Sequence, residues 1–322
     1  QAKEWLNLVE PLLSSGRAYR LPYGNADVIG AARQGRSSLL LTVKHAVDPS
    51  NPAAHLPLAI IDPTAELDNS SLKTLAKELS PSVILTCAAS VRKGVREDFG
   101  VKIIGLANTV RTGGHPQSNS DSQRRGMLLS QALLMTRESI PAVTLVTTVN
   151  DVRATAPIGW LHLQNLSTIL NGAKPVLHLP ESHAGNTILK DSWWQIQHDV
   201  GVDADGWSDL VGASPETASL TSAKFVSRTL SASLKDREAW ATDVMRPASE
   251  VIAGNGLVLH SASHFVMSSS RNEFPLTITN SLAQTVHVKV VVTSENPQRI
   301  DIPDTQVVAI QPKETQTIKF AP

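Results

Sequence analysis

Cysteine is almost absent from this chain, which contains only Cys87 among its 322 residues. With a single cysteine, an intramolecular disulfide cannot form and a zinc cluster built on cysteine thiolates is excluded. Cys87 ends the apolar run at residues 83–87, and a free cysteine in such surroundings behaves as a small buried hydrophobe. We therefore expect an inert structural thiol at this position.

An excess of charge of either sign is also missing. The 29 Lys and Arg residues equal the 29 Asp and Glu residues, and charged residues make up only 18% of the chain. Nucleic-acid binding depends on a concentrated basic surface that displaces counterions, so this balance argues against a nucleic-acid partner. The neighbouring Arg124 and Arg125 are typical of a solvated helix face. No run of 18 or more apolar residues occurs, so no membrane span is predicted within residues 1–322.

Short apolar runs alternate with helical patterns over residues 1–250. Such alternation predicts parallel strands joined by crossover helices. About seven strands indicate an α/β domain with a parallel (β/α) barrel-like or doubly wound architecture. The predicted strands are residues 19–21, 39–43, 56–61, 83–87, 101–106, 143–148 and 175–179. The predicted helices are residues 4–13, 27–33, 71–79, 122–137 and 161–170, followed by a helical region from 181 to about 248.

Residues 256–322 follow a different pattern. Phe274, Leu276 and Ile278 alternate with proline or threonine, and the same period of two recurs at residues 286–292 and 318–320. Period-two alternation between turn residues predicts a small antiparallel β-sandwich of the immunoglobulin-like type. We therefore expect a domain boundary near residues 248–256, and a C-terminal module that spaces or docks another domain.

Motifs of the common catalytic classes are lacking. The chain has no Gly-x-Ser-x-Gly elbow, no P-loop and no Gly-x-Gly-x-x-Gly, so serine-hydrolase and nucleotide-binding functions have no support. His178, Glu181 and His183 are close in sequence, but Pro180 prevents the helical geometry that places two imidazoles on one face. We expect no bound metal and no cofactor.

Polar residues that follow the predicted strands are the candidate site residues, because ligands of (β/α) barrels bind at the carboxyl ends of the strands. Two carboxylates at such positions could act as acid and base in glycoside cleavage. Asp27 could equally cap the helix that follows it, and Asp62 precedes a proline as in a turn. The candidate catalytic residues are Asp27, Asp62, Asp151 and Glu181, and the candidate ligand-binding residues are Tyr23, Asn25 and Asn150.

Four of the six tryptophans lie in the predicted helical region after residue 180. They either pack this region or line a sugar site, and burial is the commoner role of aromatic side chains. These residues are Trp193, Trp194, Trp207 and Trp240.

Two segments resemble a known family. Residues 18–28, Ala-Tyr-Arg-Leu-Pro-Tyr-Gly-Asn-Ala-Asp-Val, resemble the Leu-Pro-Tyr-x-x-x-Asp-Val segment of an actinobacterial family of uncharacterised exported, membrane-anchored proteins that are often encoded beside the lipid II flippase. Residues 274–282, Phe-Pro-Leu-Thr-Ile-Thr-Asn-Ser-Leu, resemble the terminal sandwich of that family. The resemblance implies an extracytoplasmic cell-envelope protein with a signal peptide and further domains upstream, and with a transmembrane anchor after residue 322. It also implies a barrel like those of glycoside hydrolases and polysaccharide deacetylases.

Two functional hypotheses follow. In the first, the chain is a non-catalytic envelope protein that binds cell-wall glycan or a partner in cell-wall assembly. In the second, it is an active glycoside hydrolase or carbohydrate deacetylase that uses carboxylates at the barrel mouth, although the family offers no catalytic residues to carry over. A hydrolase needs two free carboxyl groups about 5–5.5 Å or about 6.5–9.5 Å apart, whereas carboxylates that act as helix caps favour the binding hypothesis.

Overall fold

The chain forms two compact units. Unit 1 consists of Gln1–Lys190 and Leu230–Ser233, and unit 2 consists of Asp191–Thr229 and Leu234–Pro322. Helices and strands of both parallel and antiparallel pairing are present, which confirms the mixed α/β class. The computed structural model describes residues 2–87, 91, 95–106, 120–137, 143, 149–154, 164–172, 174–175, 179, 191–231, 234, 236–252, 254–261, 273–293 and 306–320.

The central sheet of unit 1 has five described strands in the order β1-β2-β4-β3-β5. Strands β1, β2 and β4 are parallel, β3 is antiparallel to β4, and β5 is parallel to β3. Within the described residues these strands form an open mixed sheet, and a closed barrel is not shown. The strands are β1 (Ala59–Asp62), β2 (Val83–Thr86), β3 (Val95–Asp98), β4 (Val101–Gly105) and β5 (Lys174–Pro175).

Seven described α-helices belong to unit 1. Four of them match the helices predicted at residues 4–13, 27–33, 71–79 and 122–137, and the helix predicted at residues 161–170 is described over Leu166–Leu170. Helix α2 packs against α3 and α4. The helices are α1 (Ala2–Leu13), α2 (Val28–Arg33), α3 (Ser37–His45), α4 (Asn69–Glu78), α5 (Asp121–Arg137), α6 (Val149–Ala154) and α7 (Leu166–Leu170). No described helix combines the length and the apolarity that spanning a bilayer requires.

The predicted strand at residues 39–43 is wrong, because this segment lies in α3. Leu39, Leu40 and Val43 are buried while Leu41 is 51% exposed, which is the spacing of one helix face. A short apolar run cannot be assigned to strand or helix by its hydrophobicity alone. The predicted strand at residues 19–21 is reduced to a single parallel bridge between Arg20 and Leu58, and residues 144–148 lie outside the described residues.

The expectation of a solvated arginine pair is also wrong for Arg124. Its side chain is among the most deeply buried in unit 1, with 1% exposure. Consecutive helical residues point in directions about 100° apart, so Arg124 and Arg125 of α5 do not share a face.

Unit 2 combines three helices with two small antiparallel sheets. The sequence patterns predict helices and strands in these regions, but they assign the helices to a domain of residues 1–250. One sheet has the order β10-β7-β6 and the other pairs β8 with β9. Ile278 of the first sheet and Val286 and Ile310 of the second share one apolar cluster, against which Leu210 of α8 packs. The elements are α8 (Asp191–Leu210), α9 (Pro215–Thr229), α10 (Arg237–Ile252), β6 (Leu257–Ser261), β7 (Phe274–Asn280), β8 (Val286–Val288), β9 (Val308–Ile310) and β10 (Thr315–Phe320).

Candidate functional site

The turn at residues 22–27 carries three of the predicted site residues. Gly24 and Asn25 have left-handed backbone angles, φ 67° and 54°, which glycine and asparagine adopt more readily than other residues. The Asn25 N–H donates to the Pro22 carbonyl at 2.9 Å. This geometry leaves the Tyr23 side chain half-buried and the Asn25 side chain exposed.

The end of this turn is fixed by a second stretch of chain. The Asp27 N–H donates to the Leu230 carbonyl at 2.8 Å, and Ala26 forms an isolated antiparallel bridge with Ser231. Residues 230–233 belong to unit 1 although they follow the helices α8 and α9 of unit 2. The turn is therefore held by backbone contacts with a distant part of the sequence.

Asp27 is the N-cap of α2. Its Oδ1 accepts a hydrogen bond from the Gly30 N–H at 2.9 Å, which satisfies one of the free donors of the first helical turn. A Cβ atom at Gly30 would lie 2.6 Å from Asp27 Oδ2, so the glycine provides the space that the carboxylate occupies. The capping alternative for Asp27 is confirmed.

Asp62, at the end of β1, is buried and accepts four hydrogen bonds. Its Oδ1 accepts from the Glu66 N–H at 3.0 Å and the Thr64 hydroxyl at 3.3 Å. Its Oδ2 accepts from the Leu67 N–H at 3.1 Å and the Thr86 hydroxyl at 2.6 Å. The carboxylate thereby ties residues 63–67, hereafter the Asp62 loop, to the end of β2.

An ion-pair network next to this loop was not predicted from the sequence. Arg33 Nη1 lies 2.9 Å from Glu66 Oε2, and Arg33 Nε lies 3.6 Å from Asp68 Oδ2. Asp68 is the N-cap of α4, since its side chain accepts from the Ser71 N–H at 2.7 Å. The sequence hint of this network is the run of acidic residues at positions 62, 66 and 68. The position of Arg33 beside them depends on the tertiary packing of α2 on α4.

Glu66 has an unusual electrostatic environment. Burial raises the pKa of its carboxyl, and the negative charges of Asp27 and Asp62 raise it further, whereas Arg33 acts in the opposite direction. The net direction is upward, because loss of hydration and like charges disfavour the ionised form. Asp27, Asp62 and Glu66 are therefore close enough for their charges to interact.

The remaining candidates are not brought to this group within the described residues. Asn150 lies exposed in α6. Asp151 lies in the same helix, and its side chain is outside the described residues. His178, Glu181 and His183 fall outside the described residues altogether.

The described residues provide no further candidate for a metal site or a reactive thiol. Within the described ranges, no group of three or more His, Cys, Asp or Glu side chains could hold a metal ion. Cys87 is a buried thiol outside any disulfide, with 2% exposure, as its apolar surroundings predict.

The four tryptophans of unit 2 are half-buried. The Arg237 guanidinium lies 3.8 Å from the Trp193 ring centroid, and Arg228 lies 5.9 Å from the Trp240 centroid. Each of these two rings thus has a cation over one face, which favours packing over sugar stacking at that face.

No protein-family model matches this chain. No curated protein is significantly similar to it either.

Proposed function

We propose that this chain is a non-catalytic part of an extracytoplasmic cell-envelope protein, and that it binds cell-wall glycan at the turn formed by residues 22–27. The observation that carries the proposal is the use of both described candidate carboxylates as structural acceptors. Asp27 caps α2 and Asp62 accepts four hydrogen bonds. Carboxylates held in this way stabilise the edge of the sheet, where open α/β sheets bind their ligands.

The turn itself supports a binding role. Tyr23 is half-buried, so its ring is anchored without being removed from solvent, and the Asn25 amide is exposed two residues later. Because the backbone between them is fixed by left-handed angles and by the Leu230 contact, the two side chains are presented with little conformational freedom. Preorganised aromatic and amide groups suit a sugar ring, which offers an apolar face and hydroxyl groups.

The alternative is an active glycoside hydrolase or carbohydrate deacetylase. The observation that favours it is Glu66, a partly exposed carboxyl whose raised pKa is the property required of a general acid. Such an enzyme would also need a second, free carboxylate, for which Asp151 and Glu181 are the sequence candidates. A partner protein of cell-wall assembly is the other ligand class compatible with a binding role.

We also propose that unit 1 is barrel-like and that residues 256–322 form a sandwich domain. A barrel-like closure of unit 1 would require further parallel strands from residues 107–190. The C-terminal sheets would belong to an immunoglobulin-like sandwich of residues 256–322 that spaces the binding domain of residues 1–250 from a membrane anchor. Limited proteolysis that releases a β-rich fragment from about residue 256 would support this boundary.

The binding role is tested with Tyr23→Ala. We expect the wild-type chain to cosediment with purified peptidoglycan sacculi but not with cellulose, and the variant to lose this binding while its circular dichroism spectrum is unchanged. Phe99→Ala is the matched control, because Phe99 is an exposed aromatic residue of unit 1 in the β3–β4 turn. This turn lies at the end of the sheet opposite the carboxyl ends of β1, β2 and β4.

Two further variants separate structure from chemistry. Asp27→Ala should cost about 1 kcal/mol of stability through the lost cap and leave glycan binding measurable. Release of reducing ends or acetate from sacculi, abolished by Glu66→Gln, would instead establish the enzymatic alternative. Equal binding by wild type and Tyr23→Ala would refute the proposed site.

A further inference from the structure

Arg237 is the first residue of α10, and it binds the chain segment that precedes this helix. Its Nε donates to the Thr229 carbonyl at 3.1 Å, and its Nη1 donates to the Leu234 carbonyl at 3.4 Å. The guanidinium also lies over the Trp193 ring of α8, 3.8 Å from the ring centroid. One side chain thus holds the carbonyls on both sides of residues 230–233.

The position of Arg237 in the sequence is unfavourable for its own helix. A cation at the first position of a helix opposes the positive end of the helix dipole. The Thr229 carbonyl, in contrast, lies at the C-terminus of α9, where backbone carbonyls lack helical partners and a cation is favourable. A planar guanidinium can bind two carbonyls at once while it stacks on an aromatic ring. We therefore attribute the placement of Arg237 to the segment that it holds and not to α10.

The segment held in this way is the one that fixes the turn of residues 22–27. The Leu230 carbonyl accepts from the Asp27 N–H at 2.8 Å, and Ser231 forms its antiparallel bridge with the same turn. Leu230 and Ser231 are buried. Because each peptide unit is planar, fixing the Thr229 carbonyl also fixes the Leu230 N–H and restricts the direction in which the Leu230 carbonyl can point.

We propose that Arg237 is a positioning residue for the turn of residues 22–27, and that it acts by holding the backbone on both sides of residues 230–233. Without its two bonds, the segment would gain freedom about its backbone dihedral angles. The Asp27 N–H would then lose its acceptor for part of the time, and Tyr23 and Asn25 would lose the preorganisation that limits the entropic cost of binding. The importance for binding rests on the proposed glycan function, whereas the effect on the Asp27 hydrogen bond does not.

Arg237→Lys tests this role by hydrogen exchange resolved at single amides in the complete chain. Lysine keeps the charge near Trp193 but lacks the fork that binds two carbonyls. The Asp27 N–H should therefore exchange about tenfold faster than in the wild type, or more, since hydrogen bonds from a charged donor are lost. The Ala59 N–H, which donates to the Arg20 carbonyl at 2.8 Å in unit 1, should exchange at an unchanged rate. Binding to peptidoglycan sacculi should weaken about fivefold through the lost preorganisation, with an unchanged circular dichroism spectrum.

Arg228→Lys is the matched control, because Arg228 also lies over a tryptophan ring of unit 2, 5.9 Å from the Trp240 centroid. This variant makes the same chemical change at a neighbouring cation and ring. It should leave both exchange rates and sacculus binding at their wild-type values.

Three results would overturn the proposal: an unchanged Asp27 exchange rate in Arg237→Lys, an increase that is equal at Ala59 or in Arg228→Lys, and faster Asp27 exchange with no loss of sacculus binding. If Arg237→Lys does not fold, Trp193→Leu removes the ring beneath the guanidinium and should give the same selective increase at Asp27; its absence would equally overturn the proposal. A wild-type chain that does not bind sacculi would refute the glycan function alone, and the exchange rates would then decide the role of Arg237.

Discussion

Each unit secures a loop with one buried polar side chain, but the two side chains have opposite chemistry. In unit 1, the Asp62 carboxylate accepts four hydrogen bonds from the loop and from β2. In unit 2, the buried Asn280 amide donates to backbone carbonyls of three residues and accepts one backbone N–H at 2.9 Å. Its Nδ2 lies 2.8 Å from Gln284 O, 3.0 Å from Ile310 O and 3.1 Å from Gln311 O.

The difference follows from which backbone groups each loop leaves unpaired. The segment after β1 presents free N–H groups, which require an acceptor, whereas the turns after β7 and β9 present free carbonyls, which require a donor. A carboxylate forms stronger hydrogen bonds than an amide but is more costly to bury, and its charge acts on its neighbours. The unit 1 loop is therefore coupled to ionisation at Glu66, and the unit 2 turn is secured without charge.

The largest expected effect is that of Asp62→Ala. We expect it to lower the free energy of unfolding by about 3–5 kcal/mol, because buried donors of the loop and of Thr86 lose a charged acceptor. Guanidinium denaturation measures the loss, and hydrogen exchange should rise in residues 59–87 but not in residues 274–293. Asp48→Ala is the control, because the Asp48 carboxylate accepts hydrogen bonds from its near neighbour Ser50 in an exposed turn. A loss below about 1 kcal/mol, as for ordinary surface changes, would contradict the role of Asp62.

The second effect concerns Asn280. Asn280→Ala should cost about 2–3 kcal/mol, because buried carbonyls of the turn lose their donor. Asn280→Asp should be at least as harmful, since a carboxylate oxygen would face those carbonyls, and increased hydrogen exchange should appear in residues 274–293. Thr285→Ala removes an exposed bond to Gln311 in the same region and should have little effect. A neutral Asn280→Asp variant would show that donation from this side chain is unimportant.

The smallest effect is a pH-dependent one at Glu66. The folded-state pKa of Glu66 is raised, so the stability linked to its protonated form is fully present below the ordinary Glu pKa and is lost as the pH rises through the folded pKa. Glu66→Gln resembles the protonated form. Its thermal midpoint should match the wild type in acid and exceed it increasingly towards neutral pH, whereas the difference caused by Asn280→Ala should not change with pH. A constant difference for Glu66→Gln would contradict the linkage.

Local patterns predicted many of the elements of both units. The apolar runs that became β1, β2 and β4 are buried throughout most of their length, and the Asp27 cap and the period-two pattern of β7 are visible in the sequence. β3 was missed because three of its four residues, Arg96, Glu97 and Asp98, are charged. It is a strand because it pairs with β4, and that pairing is a tertiary property.

The candidate site was predictable only in part, for the same reason. Tyr23, Asn25 and Asp27 are found on one turn, because the residues that form it, 22–27, are contiguous in the sequence. The pairing of Arg33 with Glu66 joins residues 33 apart, and no local pattern encodes it. Strand-end position identified Asp62 correctly as a residue of this edge, but only the four donors around it reveal that its carboxylate is structural.

The return of residues 230–233 to unit 1 limits how this protein can be divided. The chain enters unit 1, passes to unit 2 at Asp191, comes back at Leu230 and leaves again at Leu234. A truncated product ending at residue 190 would lack the Leu230 carbonyl that accepts from Asp27 and the Ser231 bridge to Ala26. Shuffling of modules, in the laboratory or in evolution, would therefore have to transfer α8 and α9 with unit 1 or supply a substitute for this short segment.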